Sequence, residues 1–225
     1  GLLDLGSGDD IANTGIGSQH ILGGSGDDEI HAGAGDDILV GNTGADVLDG
    51  GDGQDLADFQ TSNAGVSIDL QAGTATGGDA EGDTLISIEN LNGSSFADIL
   101  IGDSNANSLR GNGGNDTVEG GGGDDLLAGG SGADSLDGGD GADFADYRTS
   151  SAGVSIDLGL GTASGGDADG DTLIAIESLH GSQFDDTLSG DAGANTLIGH
   201  GGADALDGRG GIDLADYADS AAGVT

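Results

Sequence analysis

Apolar residues recur along this chain with a period of nine, and glycine and aspartate fill most of the positions between them. The segment 23–58 reads GGSGDDEIH, AGAGDDILV, GNTGADVLD and GGDGQDLAD. Positions 1, 2 and 4 of a unit favour glycine, position 6 is usually aspartate and position 8 is apolar. Because recurrent glycine excludes a stable helix, the pattern predicts a six-residue turn followed by a three-residue strand, with position 8 pointing inward.

The nine-residue units form three runs that are separated by two longer inserts. Six units cover 5–58, six cover 93–146 and four cover 181–216. The inserts, 59–92 and 147–180, have 34 residues each and agree at 24 of these positions, so they are copies of one element. The last residues, 217–225, repeat the start of the insert. We therefore expect three repeat segments, two inserts and the truncated start of a further insert.

Two units are expected to make one coil of a solenoid, with successive coils stacked about 4.8 Å apart as parallel strands. Unit n then lies above unit n + 2, which places Asp28 next to Asp10 and Asp46. Two carboxylates about 5 Å apart repel by roughly 3 kcal/mol at an effective dielectric of 20. The sequence therefore predicts an all-β parallel solenoid that needs a cation between its turns.

The composition narrows the choice of partner. The 225 residues include 51 glycines, 42 acidic residues, three arginines and no lysine or cysteine, for a formal net charge of −39. Such a charge repels nucleic acid and anionic membrane surfaces, and no segment has the length of an apolar membrane span. With no thiolate, the metal ligands are expected to be carboxylate and carbonyl oxygens, which favour calcium over magnesium because calcium accepts six to eight oxygens in flexible geometry.

The repeated unit resembles the RTX (repeats-in-toxin) calcium-binding nonapeptide, G-G-x-G-x-D-x-U-x, of the hemolysin-type family. This resemblance implies three parallel β-roll segments with calcium as the cofactor. It also implies export by a type I secretion machinery and a location outside the cell or at its surface. Pairing unit n with unit n + 2 inside each run predicts roughly ten calcium ions.

The resemblance places the metal ligands at position 6 and in the glycine-rich turns. Three units depart from the pattern with Gln19, Asn107 and Asn195 at position 6, and two have Phe96 or Phe184 in place of a turn glycine, which weakens Asp98 and Asp186 as ligands. The candidate ligands at position 6 are Asp10, Asp28, Asp37, Asp46, Asp55, Asp98, Asn107, Asp116, Asp125, Asp134, Asp143, Asp186, Asn195, Asp204 and Asp213. The accompanying turn glycines are Gly24, Gly26, Gly33, Gly35, Gly51, Gly53, Gly121, Gly123, Gly130, Gly132, Gly139 and Gly141.

The inserts are expected to continue the solenoid. Alternating apolar residues predict strands over 66–70 and 84–91, joined by GGDAEGD, and the same pattern recurs in the second insert. Asp79, Asp83, Asp167 and Asp171 are either additional calcium ligands or an acidic, solvated turn. Each run ends in alanine, aspartate and an aromatic residue, Phe59, Tyr147 or Tyr217, which we interpret as a plug where the regular repeat changes.

The sequence contains no catalytic motif. His20, His31, His180 and His200 lie at unrelated repeat positions, and the acidic residues are periodic rather than a unique acid–base pair. We therefore predict a non-catalytic extracellular calcium-binding module, folded by calcium after secretion, in a structural or adhesive protein. The alternative is the secretion and folding domain of a secreted enzyme or toxin such as a metalloprotease, lipase or cytolysin. Flanking sequence with HExxH or G-x-S-x-G would favour that alternative.

Overall fold

The nine-residue units fold into a parallel β-solenoid of about 12 turns with 3% helix, which confirms the fold class. The structure is a computed structural model, and it describes residues 1–216. The predicted start of a further insert, 217–225, lies outside the described residues. Among residues 1–216, no helix has the length and apolar character needed to cross a membrane.

The strands form two sheets that face each other across the core. The first sheet has 11 strands and the second has 14. In chain order the strands are β1 (Leu2–Ser7), β2 (Ile11–Asn13), β3 (His20–Ser25), β4 (Glu29–Ala34), β5 (Ile38–Thr43), β6 (Val47–Asp52), β7 (Leu56–Asp58), β8 (Ser67–Asp69), β9 (Thr74–Thr76), β10 (Thr84–Ile86), β11 (Asn90–Asn92), β12 (Ile99–Ile101), β13 (Ser108–Gly113), β14 (Thr117–Gly122), β15 (Leu126–Ser131), β16 (Ser135–Asp140), β17 (Phe144–Asp146), β18 (Ser155–Asp157), β19 (Thr162–Ser164), β20 (Thr172–Ile174), β21 (Ser178–His180), β22 (Thr187–Ser189), β23 (Thr196–Ile198), β24 (Ala205–Asp207) and β25 (Leu214–Asp216).

Many strands are twice as long as the repeat pattern predicts. Strand β4, for example, has six residues and continues from positions 7–9 of one unit into positions 1–3 of the next. The prediction of a three-residue strand is therefore wrong there, and the connecting turn has only three residues. The reason is that parallel pairing needs only backbone groups, and the glycines of neighbouring coils lie in register, as Gly33 and Gly51 do.

The core consists of two columns of position-8 side chains, one from each sheet, which point inward as predicted. Ile30 and Leu48 are fully buried and lie in register on β4 and β6. Leu85 of the first insert lies in register with Leu48, so the column continues from the run into the insert. A core one side chain deep leaves little apolar burial to offset chain entropy.

The inserts continue both sheets, although their strands differ from the prediction. The segment 84–91 is broken into β10 and the start of β11, which belong to different sheets. The break falls at Ser87, which has a φ of 49°, outside the range of a strand. An unpredicted strand, β9, pairs antiparallel with both β8 and β10. The second insert repeats this arrangement with β18, β19 and β20.

Each insert also contains one short 3₁₀ helix and one buried aromatic side chain. The 3₁₀ helices are Gly78–Ala80 and Gly166–Ala168. Phe59 and Tyr147 are each 2% exposed, in agreement with their predicted role as plugs. Tyr217 lies outside the described residues.

Candidate metal sites

The position-6 aspartates of successive coils are joined by a ladder of hydrogen bonds. The backbone N–H of Asp10 donates to Asp28 Oδ1, and the N–H of Asp28 donates to Asp46 Oδ1, both at 2.8 Å. The same 2.8 Å bond joins Asp37 to Asp55, Asp98 to Asp116, Asp116 to Asp134 and Asp125 to Asp143. Each ladder bond occupies one carboxylate oxygen and fixes the direction of the other, because the side chain is held in one orientation.

The second oxygen of these carboxylates is buried and has no hydrogen-bond partner among the described residues. Ten Oδ2 atoms share this property: those of Asp10, Asp28, Asp37, Asp46, Asp55, Asp83, Asp116, Asp125, Asp134 and Asp143. Burying a carboxylate oxygen without a partner lowers the stability of the fold by roughly several kcal/mol, unless the oxygen binds a proton or a cation. This periodic set of unpartnered oxygens therefore fits a row of metal ions.

The glycine at position 1 of the unit leaves the space that faces Oδ2. A Cβ placed on Gly111 would collide with Asp116 Oδ2 and lie 2.6 Å from the carbonyl oxygen of Gly129. A Cβ on Gly23 would lie 2.5 Å from Asp28 Oδ2 and 2.9 Å from the carbonyl oxygen of Gly41. A carboxylate oxygen and a carbonyl oxygen thus approach the same side of each of these glycines, and only a residue without a Cβ permits that approach.

The glycines at positions 2 and 4, which the sequence predicts as ligands through their carbonyls, also shape the turn. All twelve predicted turn glycines have positive φ. Gly51, for example, has a φ of 95°, and a Cβ there would collide with the carbonyl oxygen of Gly33 in the preceding coil. These residues therefore allow the coils to approach closely and keep the turn carbonyls stacked.

The donor set is made of single carboxylate oxygens together with backbone carbonyls. Within residues 1–216, no group of three or more His, Asp or Glu side chains comes together as a side-chain metal centre. Most turns instead offer one carboxylate oxygen beside a glycine carbonyl. Such an all-oxygen set of mixed side-chain and backbone donors suits calcium.

Burial raises the pKa of several ladder carboxylates in this metal-free arrangement. The pKa of Asp116 is raised to about 7 by desolvation, despite the hydrogen bond from the Asp98 N–H, and the charges of Asp134 and Asp98 raise it further. Desolvation likewise raises the pKa of Asp55 and of Asp125 to about 6. Without a cation, these groups therefore keep their protons to a higher pH than an ordinary aspartate, up to about pH 6 to 7.

These shifts predict how pH affects the calcium-stripped chain. A carboxylate with a raised pKa in the folded state holds its proton more tightly there than in the unfolded chain, so folding is favoured below the folded pKa and disfavoured as pH rises from about 4 to 7. We expect the far-UV β-sheet signal of the calcium-stripped chain to increase when pH is lowered from 7.5 to 5. An increase in that signal on raising the pH would contradict the assignment.

Two of the predicted ligands have both carboxylate oxygens already in use. Asp98 Oδ2 accepts a 2.7 Å hydrogen bond from the Ser94 N–H, and its Oδ1 accepts bonds from the Ser94 hydroxyl and the Val66 N–H. Asp186 makes the equivalent bonds with Ser182 and Val154. The serine at position 2 thus satisfies the carboxylate, and we leave both residues out of the proposed ligand set.

The amide side chains at position 6 form hydrogen bonds with backbone groups nearby. Asn107 Oδ1 accepts a 2.8 Å bond from the Asp103 N–H, and its Nδ2 donates to the Glu89 carbonyl at 2.9 Å. Asn195 repeats both bonds with Asp191 and Glu177. Gln19 Nε2 donates to the carbonyls of its own turn, at 3.3 Å to Ile16 and at a shorter distance to Gly17. These three turns therefore offer no unpartnered oxygen from the position-6 side chain.

The position-6 aspartates near the end of the third run are more exposed to solvent than most of those in the first two runs. Asp204 accepts a ladder bond from the Asp186 N–H at 3.0 Å, and Asp213 accepts one from the Asn195 N–H at 3.1 Å. Asp204 is half-buried and Asp213 is exposed. Both keep the ladder geometry, but water competes for their second oxygen.

The ladder continues into the inserts through acidic residues that the repeat pattern does not identify as ligands. The Asp46 N–H donates to Asp83 Oδ1, and the Asp134 N–H donates to Asp171 Oδ1, both at 2.8 Å. A separate column of position-6 aspartates joins Asp37 to Asp55 in the first run and Asp125 to Asp143 in the second. At its end, the N–H groups of Asp55 and Asp143 donate to Glu89 and Glu177. The nine-residue period is broken in the inserts, so the spacing of 34 or 37 residues hides these partners in the sequence.

A second ladder follows position 5 on the exposed side of the turns. The N–H of Ala45 donates to Asp27 Oδ1, and the N–H of Ala142 donates to Asp124 Oδ1, both at 3.0 Å. These bonds run in the opposite direction from those at position 6. The recurrence of aspartate or asparagine at position 5 is the signal that could have revealed this ladder.

A parallel solenoid that offers one buried carboxylate oxygen in most of its turns defines a class of metal-binding β-roll proteins. The family model of the RTX calcium-binding nonapeptide repeat matches the chain in four segments, 22–57, 92–127, 119–146 and 180–215, which together cover more than half of its length. The chain therefore belongs to the RTX calcium-binding nonapeptide-repeat family. It is a calcium-binding β-roll module, and secretion by type I systems is typical of its family. No curated protein matches the chain.

Proposed function

We propose that this chain is a non-catalytic, extracellular module whose folding is driven by calcium after secretion by a type I system. The observation that carries the proposal is the row of buried Oδ2 atoms without a partner among the described residues. Calcium supplies two positive charges between stacked carboxylates. Extracellular calcium modules bind at about 10⁻⁴ to 10⁻³ M, far above cytosolic levels, so folding would be confined to the outside of the cell.

The proposed ligands are the unpartnered Oδ2 atoms of the position-6 aspartates, the carbonyls of the predicted turn glycines at positions 2 and 4, and the position-1 glycine carbonyls two units further along. At one such site, Asp116 Oδ2 and the Gly129 carbonyl oxygen would hold the ion. We propose one calcium ion for each of the nine unpartnered position-6 oxygens, which keeps the total near ten. The six-segment division of the chain, with inserts at 59–92 and 147–180, remains part of this proposal.

The arrangement of polar side chains supports a role without catalysis. The carboxylates repeat from coil to coil and are used by the ladders. His180 and His200, which the sequence does not bring together, lie with Nδ1 and Nε2 2.9 Å apart and their rings stacked at 5.1 Å. This pair packs against the Phe144 ring at 4.8 Å, as part of the surface of the first sheet.

The continuity of the two sheets supports a structural or adhesive role in a larger secreted protein. The first sheet passes through both inserts without interruption, from β7 to β11 and from β17 to β21. A continuous hydrogen-bonded sheet stiffened by ions resists bending and extension. The sequence that flanks the chain tests this role, since further repeats would support a spacer and a catalytic motif would contradict it.

Calcium titration of a glycine variant tests the proposed ligands. Gly111→Ala places a methyl group between Asp116 Oδ2 and the Gly129 carbonyl oxygen, without a left-handed φ at that position. We expect calorimetry to show one calcium ion fewer for this variant. Gly113→Ala is the matched control, because a Cβ there comes no closer than 3.2 Å to Ser131 Oγ. Equal calcium stoichiometry in the wild type and both variants would refute the proposed site.

A further inference from the structure

The two inserts are close copies, but one buried carboxylate has a hydrogen-bond donor in the second insert that the first insert lacks. Asp83 in the first insert and Asp171 in the second occupy the same place, next to the last aspartate of their column. Each is 3% exposed. Asp83 Oδ2 has no hydrogen-bond partner among residues 1–216, whereas Asp171 Oδ2 accepts a 2.9 Å bond from the Tyr147 hydroxyl.

The difference follows from one atom in the aromatic plug. Phe59 takes the place of Tyr147 in the first insert and is equally buried, at 2% exposed, but it carries no hydroxyl. The sequences around the two carboxylates are otherwise alike, since both read GDTLI. The first insert therefore has a buried carboxylate that lacks the donor present in the second.

The surroundings of Asp83 carry negative charge that needs compensation. Asp46 lies in the preceding coil and donates its N–H to Asp83 Oδ1. Its own Oδ2 is also unpartnered among the described residues. Asp79, in the 3₁₀ helix of the same insert, is 9% exposed.

We propose that the first insert binds one additional calcium ion at Asp83, beside Asp46, and that the Tyr147 hydroxyl replaces this ion in the second insert. The proposal rests on the proposed function, because it extends the same column of ions beyond the nonapeptide runs. It makes the two copies different in metal content. The first junction between run and insert then depends on calcium, while the second is closed by a protein hydrogen bond.

Exchanging the two aromatic residues tests the proposal. Native mass spectrometry of the whole chain at saturating calcium counts the ions bound. Phe59→Tyr is expected to bind one ion fewer than the wild type, because the new hydroxyl can donate to Asp83. Tyr147→Phe is expected to bind one ion more, because Asp171 loses its donor. Unchanged counts in both variants would overturn the inference.

A second pair of variants tests the carboxylates themselves. Asp83→Asn is expected to lose one ion and Asp171→Asn to lose none, with circular dichroism in calcium used to check that both are folded. Equal losses in the two variants, or no loss in either, would overturn the inference while leaving the proposed function intact. A wild-type chain that binds no calcium at all would instead refute the proposed function.

Discussion

Removal of calcium with excess chelator is expected to abolish most of the far-UV β-sheet signal of this chain. The folded state stacks carboxylates in columns, and the chain has 42 acidic residues against three arginines. Each stacked pair costs roughly 3 kcal/mol at an effective dielectric of 20, and a core one side chain deep cannot offset that repulsion together with chain entropy. Metal-binding free energy is then folding free energy.

The measurement is circular dichroism during calcium titration of the stripped chain at pH 7.5. We expect a cooperative return of the β-sheet signal with calcium. Sodium chloride at equal ionic strength is the control for simple screening, and magnesium is the control for charge, since magnesium prefers strict octahedral geometry with retained water. A chain that shows the same β-sheet spectrum in chelator and in calcium would contradict calcium-driven folding.

Truncation of one core side chain is expected to have the next largest effect. Leu100 is fully buried on β12, in register with Ile68 on one side and Val118 on the other. Leu100→Ala should lower the free energy of unfolding in saturating calcium by about 3 kcal/mol, because it leaves a cavity between two coils. Urea unfolding followed by circular dichroism measures this loss.

The neighbouring residue provides a matched control. Ile99 has a side chain of the same size on the same strand, but it is 44% exposed. Ile99→Ala should lower the free energy of unfolding by less than about 1 kcal/mol, since little apolar area returns to water. Equal losses in the two variants would show that the position-8 column does not carry the core.

The fold was predictable because its signal is repeated. Position 8 recurs every nine residues, and Ile30, Leu48 and Leu100 are all fully buried. Strand length was less predictable, because glycine has no side-chain pattern that distinguishes a paired strand residue from a turn residue. The antiparallel strand β9 was also missed, since its three residues, Thr74–Thr76, are too few and too weakly apolar for their alternation to predict a strand.

The candidate site was predictable in position but not in detail. The pattern places an aspartate in most turns, and the structure leaves an unpartnered oxygen on nine of those aspartates and on Asp83 of the first insert. The sequence pattern does not reveal that Ser94 donates hydrogen bonds to Asp98, or that the Asn107 amide donates to the Glu89 carbonyl. Both outcomes depend on side-chain hydrogen bonds rather than on the identity of the position-6 residue alone.

The sequence alone determined the period, the parallel stacking, the inward column and the oxygen-rich chemistry that suits calcium. These properties follow from local residue types repeated many times, so each unit carries them. Only the tertiary structure decided which buried oxygens have a donor. Asp46 meets Asp83 across 37 residues, and Tyr147 meets Asp171 across 24. The partner of a buried carboxylate is set by the coil stacked against it, and the inserts change that coil without changing the local sequence of the turn.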